Sequence, residues 1–203
     1  MVCARIFRRA WRGCGVLAAM TQLSGCGDGA DDGGTTRPPV DYSTYAVMDR
    51  QLHGTWDSAG FTDPATLPGS GGATYDGVLI LDAQIGSGQI DLAGAVQLGV
   101  DFGSSSISGQ ANGFRDASEQ NYLGVLSISN GSIDRSADPN ISASVFMDID
   151  GTLSGGGQNL GLSGDMSGDF LGSTAGAIVG VLSGVVTSSS GPGALFGDFI
   201  AQD

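Results

Sequence analysis

After residue 73 the chain alternates apolar and polar side chains with a period of two. Eight runs carry the pattern: Thr74–Asp82, Asp91–Asp101, Ser106–Phe114, Tyr122–Ser129, Ile141–Leu153, Asn159–Leu171, Ala177–Val186 and Gly193–Ala201. The fifth is the clearest. Ile141, Ala143, Val145, Met147, Ile149, Gly151 and Leu153 share one face, while Ser142, Ser144, Phe146, Asp148, Asp150 and Thr152 share the other. Phe146 is the one large apolar exception. A period of two belongs to half-buried strands, whose side chains point alternately to the two faces of a sheet. Turn formers separate the runs: Gly86-Ser87-Gly88, Gly103-Ser104-Ser105, Asn130-Gly131, Asp138-Pro139-Asn140, Gly155-Gly156-Gly157 and Gly191-Pro192-Gly193. No stretch in this region carries a helical stripe, so the pattern predicts an antiparallel meander.

Eight strands leave two edges to protect, and closing the sheet on itself removes both. Glycines inside the runs, among them Gly94, Gly109, Gly124, Gly164, Gly168, Gly180 and Gly184, would weaken flat strands but permit the tight coiling of a small barrel. The expected fold is therefore all-β: a single eight-stranded antiparallel β-barrel over residues 70–203, with a two-sheet sandwich as the alternative. A membrane-spanning barrel is disfavoured. Trp56 and four tyrosines are too few for two aromatic girdles, and the outward strand positions read as Ser, Asp and Asn.

The N-terminal quarter follows another logic. Arg5, Arg8, Arg9 and Arg12 form a basic region, followed by the short, weakly apolar stretch Gly13–Gln22. It is far shorter than the ~20 residues of a spanning helix and suits a secretory signal. Leu23-Ser24-Gly25-Cys26 then offers an aliphatic residue, two small residues for a narrow peptidase cleft, and a thiol nucleophile. Residues 1–25 read as a lipoprotein signal peptide, and Cys26 as the site of lipid attachment. Residues 26–39 are acidic and rich in Gly and Pro, so they cannot bury apolar surface and read as a lipidated tether. Gly27 stands where an inner-membrane retention signal would place Asp, which points to the outer membrane. Residues 40–69 are expected to form an irregular or short helical lead-in, since Tyr42, Tyr45, Val47, Met48 and Leu52 do not follow one period.

Charge narrows the partners. The chain has no lysine, and the expected mature protein keeps four arginines (Arg37, Arg50, Arg115, Arg135) against 21 acidic residues, a formal balance of −17. Of those acids only Glu119 is glutamate. Such a surface repels nucleic acid and anionic membranes, so membrane attachment falls to acyl chains. A monomer is expected. Cys3 and Cys14 lie in the leader and Cys26 would be acylated, so the domain has no thiol pair and depends on its core.

The candidate chemistry is sparse. His53 is the single histidine, which excludes a multi-histidine metal site, and no metal or cofactor is expected. One histidine would suffice as an axial haem ligand, so His53 is the candidate should haem be bound. It also suits a solvated or helix-capping role. Asp148 and Asp150 lack the further ligands of a calcium loop, and alternation places both in water. No nucleophile elbow accompanies the serines and aspartates, so a non-enzymatic protein is expected.

The last two strands carry a resemblance. Gly168-Asp169-Phe170-Leu171-Gly172-Ser173-Thr174-Ala175-Gly176-Ala177-Ile178-Val179-Gly180, and then Ala194-Leu195-Phe196-Gly197, resemble the closing segment of the barrel domain of transferrin-binding protein B. Phe170, Gly172, Ala175, Ile178, Gly180 and Phe196-Gly197 match. Ser173, Ala177 and Val179 replace the family's proline, acidic residue and first paired glycine. Gly72-Ala73-Thr74-Tyr75-Asp76-Gly77 is similar to the opening strand, and Val100-Asp101-Phe102-Gly103 with Ile107-Ser108-Gly109 to the next two. The resemblance spans about residues 70–201. It implies a lipid-anchored barrel on the outer face of a Gram-negative cell, a group that includes factor H binding protein and haem-capturing hemophilins. It further implies binding of a host protein or an iron-bearing ligand, and hence iron acquisition. The chain departs from transferrin-binding protein B in having one barrel and little material for a separate handle domain, and fold does not fix a ligand. The alternative function is that of a structural envelope lipoprotein facing the periplasm with no small ligand. Aromatic anchors at one barrel end would favour binding; the candidates are Phe61, Tyr75, Phe102, Phe114 and Tyr122.

Overall fold

The computed structural model describes residues 40–203; the expected signal peptide, Cys26 and the tether lie outside them. Each of the eight alternating runs forms a strand: β1 Gly72–Ile85, β2 Gly88–Asp101, β3 Ser106–Asp116, β4 Asn121–Ile133, β5 Val145–Gly155, β6 Gln158–Leu171, β7 Ala177–Ser188 and β8 Gly191–Gln202. Each strand pairs antiparallel with the next. β1 also pairs with β8, from Asp76 opposite Gln202 to Ile85 opposite Gly193, and so closes the barrel. Closure leaves no unpaired strand edge in the barrel, which is its advantage over the sandwich.

The interior is filled with side chains. Leu79, Leu81, Leu98, Phe114, Leu126, Met147, Ile149, Met166, Phe170, Leu182 and Phe199 are all buried in one continuous core. On β5 the alternation holds residue by residue: Val145, Met147, Ile149 and Leu153 are buried, while Phe146, Asp148 and Asp150 are exposed. An inward glycine makes room for a ring where the barrel is narrow. A Cβ added at Gly180 would lie 2.6 Å from the ring of Phe199, its cross-strand partner. The glycine thus lets an aromatic side chain lie flat across the neighbouring backbone, as in aromatic rescue of strand glycines.

Three local expectations are corrected. The fifth strand begins at Val145, not Ile141; Ile141 is 83% exposed. Ser144 ends the alternation because its amide and hydroxyl both donate to the Asp169 carboxylate, at 2.9 and 2.8 Å. That pins the β4–β5 loop and makes Asp169 a structural acceptor. Asn130-Gly131 is not a hairpin turn. Asn130 adopts a φ of 52°, the register shifts between Ser129 and Ser132, and β4 continues to Ile133. The pair forms a bulge. Nor is the outer wall uniformly polar: Val181, Val185 and Phe196 on β7 and β8, and Leu123 and Val125 on β4, are exposed.

Residues 40–69 contain a 15-residue helix, α1 (Tyr42–Trp56), which lies outside the barrel against β1, β2 and β8. Tyr45, Met48 and Leu52 recur at helical spacing and pack on Val78 and Ala93, which point outward from β1 and β2. Sequence periodicity missed this stripe because Asp49 and His53 share the partly covered side while Val47 is 40% exposed. The helix lacks a local cap. Asp41 makes no side-chain capping bond, and instead Glu119, in the β3–β4 turn, accepts from the amides of Tyr42 (2.8 Å) and Ser43 (3.3 Å). The sole glutamate therefore caps α1 from 76 residues away and places a negative charge at the positive end of its dipole. Replacing Glu119 with Ala should lower stability by about 1 kcal/mol. Urea unfolding followed by Trp56 fluorescence would measure the shift.

The segment after α1 closes one end of the barrel. The Thr62 amide donates to the Phe170 carbonyl at 2.8 Å, and Gly172 donates to Gly60 at 2.9 Å. Leu67 is buried in the barrel core together with Phe102 and Ala175. Arg135 fixes the plug: its guanidinium donates to the carbonyls of Leu67, Pro68 and Phe102 and to the hydroxyl of Ser105, at 2.7–3.0 Å. Beneath it, Tyr75 meets Phe170 edge-on with ring centres 6.0 Å apart and donates to the Ala175 carbonyl at 2.7 Å.

Burial, aided by the charge of Asp203, pushes the Tyr75 phenol up to about 12. The neutral form is the one that fits. Its stabilising contribution is complete below the unfolded value near 10 and is lost as pH rises through about 12. Stability should therefore fall between these limits, and Tyr75→Phe should flatten much of that slope. Tyr42 and Tyr122, also raised by burial, would supply what remains. Urea midpoints measured across alkaline pH provide the check.

Candidate functional site at the helix–barrel seam

The aromatic residues considered as loop anchors are mostly elsewhere. Tyr75, Phe102, Phe114 and Tyr122 are buried in the barrel core, and only Phe61 is exposed, at 51%. Alternation in strands places a residue on a face but does not reveal that four rings fill the interior. With the core filled and one end plugged, the chemistry available to a ligand lies on the outside. Among the described residues, a cluster of ligating side chains sits where α1 crosses β8.

His53 occupies the last turn of α1. Its Nε2 lies 3.6 Å from Asp49 Oδ1, one turn earlier, and its Nδ1 lies 3.8 Å from Asp57 Oδ1, one turn later. From the barrel, β8 points Asp198 outward beneath the helix. One ligand atom from each of Asp49, His53 and Asp198 lies within 4.8 Å of the other two. All three residues are partly buried. Burial raises the Asp198 carboxyl above its usual range, the Asp49 charge raises it further, and His53 opposes both. Asp49 Oδ1 is buried and has no hydrogen-bond partner.

The helical spacing of Asp49, His53 and Asp57 was present in the sequence. Asp198 was not legible as their neighbour, because only closure of the barrel and docking of α1 bring it there. The histidine count, which excludes a multi-histidine site, does not speak to this mixed set. As a haem ligand His53 would need an apolar slot, whereas its two closest ionisable neighbours are carboxylates. A groove of about 430 Å³ does run along the seam, between Met48, Leu52 and Thr55 of α1 and Asp76, Gly77 and Gln202 of the barrel. The imidazole does not line it.

The C-terminal end of α1 is locked to the barrel by Trp56. Its indole donates to Gln202 Oε1 at 3.2 Å, and its ring covers the β6–β7 turn. A Cβ on Gly176 would come within 2.4 Å of that ring, so the turn must be bare for the helix to dock. This packing fixes His53 and Asp49 over Asp198.

No family model and no curated protein matches the chain. Among solved structures it is similar to the vaccine antigen transferrin binding protein B from Haemophilus parasuis Hp5, in crystal structures of a double and a single mutant. The double mutant is 19% identical, with a TM-score of 0.47, and the match covers 70% of this chain and 27% of that one. For the single mutant the identity is 18% and the TM-score 0.46, over 70% and 28% of the two chains. This chain thus spans little more than a quarter of the length of either structure. Its own pairing register and core define it as a closed, eight-stranded antiparallel β-barrel with an N-terminal helix docked on the outer wall.

Proposed function

We propose that this protein is a non-catalytic lipoprotein, anchored through Cys26 to the outer membrane and exposed at the cell surface, which binds a host protein or an iron-bearing ligand. The observation that carries the reading is the filled interior. A barrel interior packed with Leu, Ile, Met and Phe side chains and plugged at one end by Leu67 favours contact on its outer surface. That surface exposes Val181, Val185 and Phe196 on adjoining strands, among acidic residues. The cleavage box at Leu23–Cys26 and the resemblance of residues 70–201 to the transferrin-binding barrel support the same reading. Membrane attachment follows from the acyl chains, since the acidic chain is repelled by anionic lipid.

Proteolysis of intact cells, combined with pull-down from serum and from haem- or transferrin-containing medium, tests the proposal. Surface cleavage and a specifically retained partner are expected. A protein shielded in the periplasm that retains nothing would favour the structural envelope role, which the burial of four of the five candidate anchor rings also suits.

A further inference from the structure

The geometry points to a divalent transition-metal site formed by Asp49, His53 and Asp198, which would tie α1 to the barrel wall. This inference does not depend on the binding partner proposed above. The separation of His53 Nε2 from Asp49 Oδ1, 3.6 Å, is too long for a hydrogen bond. It is close to the spacing of about 3.4 Å expected for two ligands placed tetrahedrally around one ion at ~2.0–2.1 Å. One ligand atom from each of the three residues lies within 4.8 Å of the other two, so small side-chain rotations bring all three onto one ion.

An independent observation also asks for a ligand. Asp49 Oδ1 is buried without a hydrogen-bond partner, and buried carboxylate oxygens are almost always satisfied. A cation at the centre of the cluster would satisfy it. It would also relieve the repulsion between Asp49 and Asp198, whose ligand atoms lie within 4.8 Å of each other across the seam. Two carboxylates and a neutral imidazole supply a charge of −2, which matches a divalent ion.

The histidine selects the ion class. Calcium and magnesium prefer all-oxygen sets, whereas an imidazole with carboxylates suits zinc, manganese or cobalt. Asp57 completes the arrangement from outside. With Oδ1 3.8 Å from Nδ1, a small rotation lets it accept the Nδ1 proton and leave Nε2 free for metal, as outer carboxylates do in carboxylate–histidine–metal sites. Three protein ligands leave one position for water or a donor atom from a bound partner. His53 is 34% exposed, so that position is reachable from solvent.

The test uses the mature lipoprotein in detergent, stripped of metal with a chelator and titrated with zinc by calorimetry. One ion per chain is expected, with a rise in melting temperature that the chelator reverses. His53→Gln and Asp198→Asn should each weaken binding at least tenfold, and Asp57→Asn should weaken it less. Unchanged affinity in the first two variants, or no saturable binding in the parent, would overturn the site. If either variant fails to fold, X-ray absorption of the cobalt-loaded parent decides the matter. One imidazole in the coordination shell supports the site, and an all-oxygen shell refutes it.

Discussion

Replacing Ile149 with Asp is expected to unfold the barrel. Ile149 is 1% exposed and sits midway along β5, opposite Ile128 of β4 and Gly164 of β6. An aspartate there would face a core of Leu, Met, Phe and Ile with no basic residue among the buried side chains of the described residues. An unpaired buried charge costs several kcal/mol, and lost packing adds about 2–4 kcal/mol. Together these consume much of the 5–15 kcal/mol that stabilises a typical domain. The variant should lose its near-ultraviolet circular dichroism and its cooperative thermal transition. Asp148→Asn, one residue away on the solvent face, should leave both intact. A folded Ile149→Asp protein of wild-type melting temperature would show that β5 does not face a dry interior.

Arg135→Ala is the second large effect expected. Its guanidinium joins the plug (Leu67, Pro68), the β2–β3 turn (Phe102) and Ser105 through four hydrogen bonds, three of them to carbonyls. Charge-assisted bonds of this kind contribute about 1.5–3 kcal/mol each but are not additive, and carbonyls left without a donor add a desolvation penalty. A loss of about 2–4 kcal/mol is expected. Hydrogen exchange should rise first at Thr62 and Gly172, whose amides are tied to the same plug. Arg135→Lys should recover only part of the loss, because an ammonium cannot span carbonyls arranged for a planar fork. Uniform exchange across the whole barrel instead would mean that the plug and barrel unfold as one unit.

The segment resembling the transferrin-binding barrel shows what such motifs encode. Phe170 fills the barrel end against Tyr75 and Phe102. Gly176 lies bare beneath Trp56, the Ala175 carbonyl accepts from Tyr75, and Gly180 makes room for Phe199. Each of these four positions serves closure or docking. None of them belongs to the Asp49–His53–Asp198 cluster, which explains why the motif predicted a fold and said little of a site.

The sequence by itself determined the strands and the face each presents. Strand alternation is local: whether Val145 and Met147 point inward depends only on their neighbours and on the pleat. It also determined the acidic charge and the single histidine, since these are counts. What the tertiary structure decided are meetings between residues far apart in the chain. Glu119 caps α1, Arg135 holds the plug at Leu67 and Pro68, and Asp198 comes to lie under His53. Asn130-Gly131 reads as a turn in isolation, yet it becomes a bulge because β5 pairs with β4 on both sides of it. Periodicity records only which way a side chain faces. Its partner across the barrel is fixed by closure and register, which no short stretch of sequence contains.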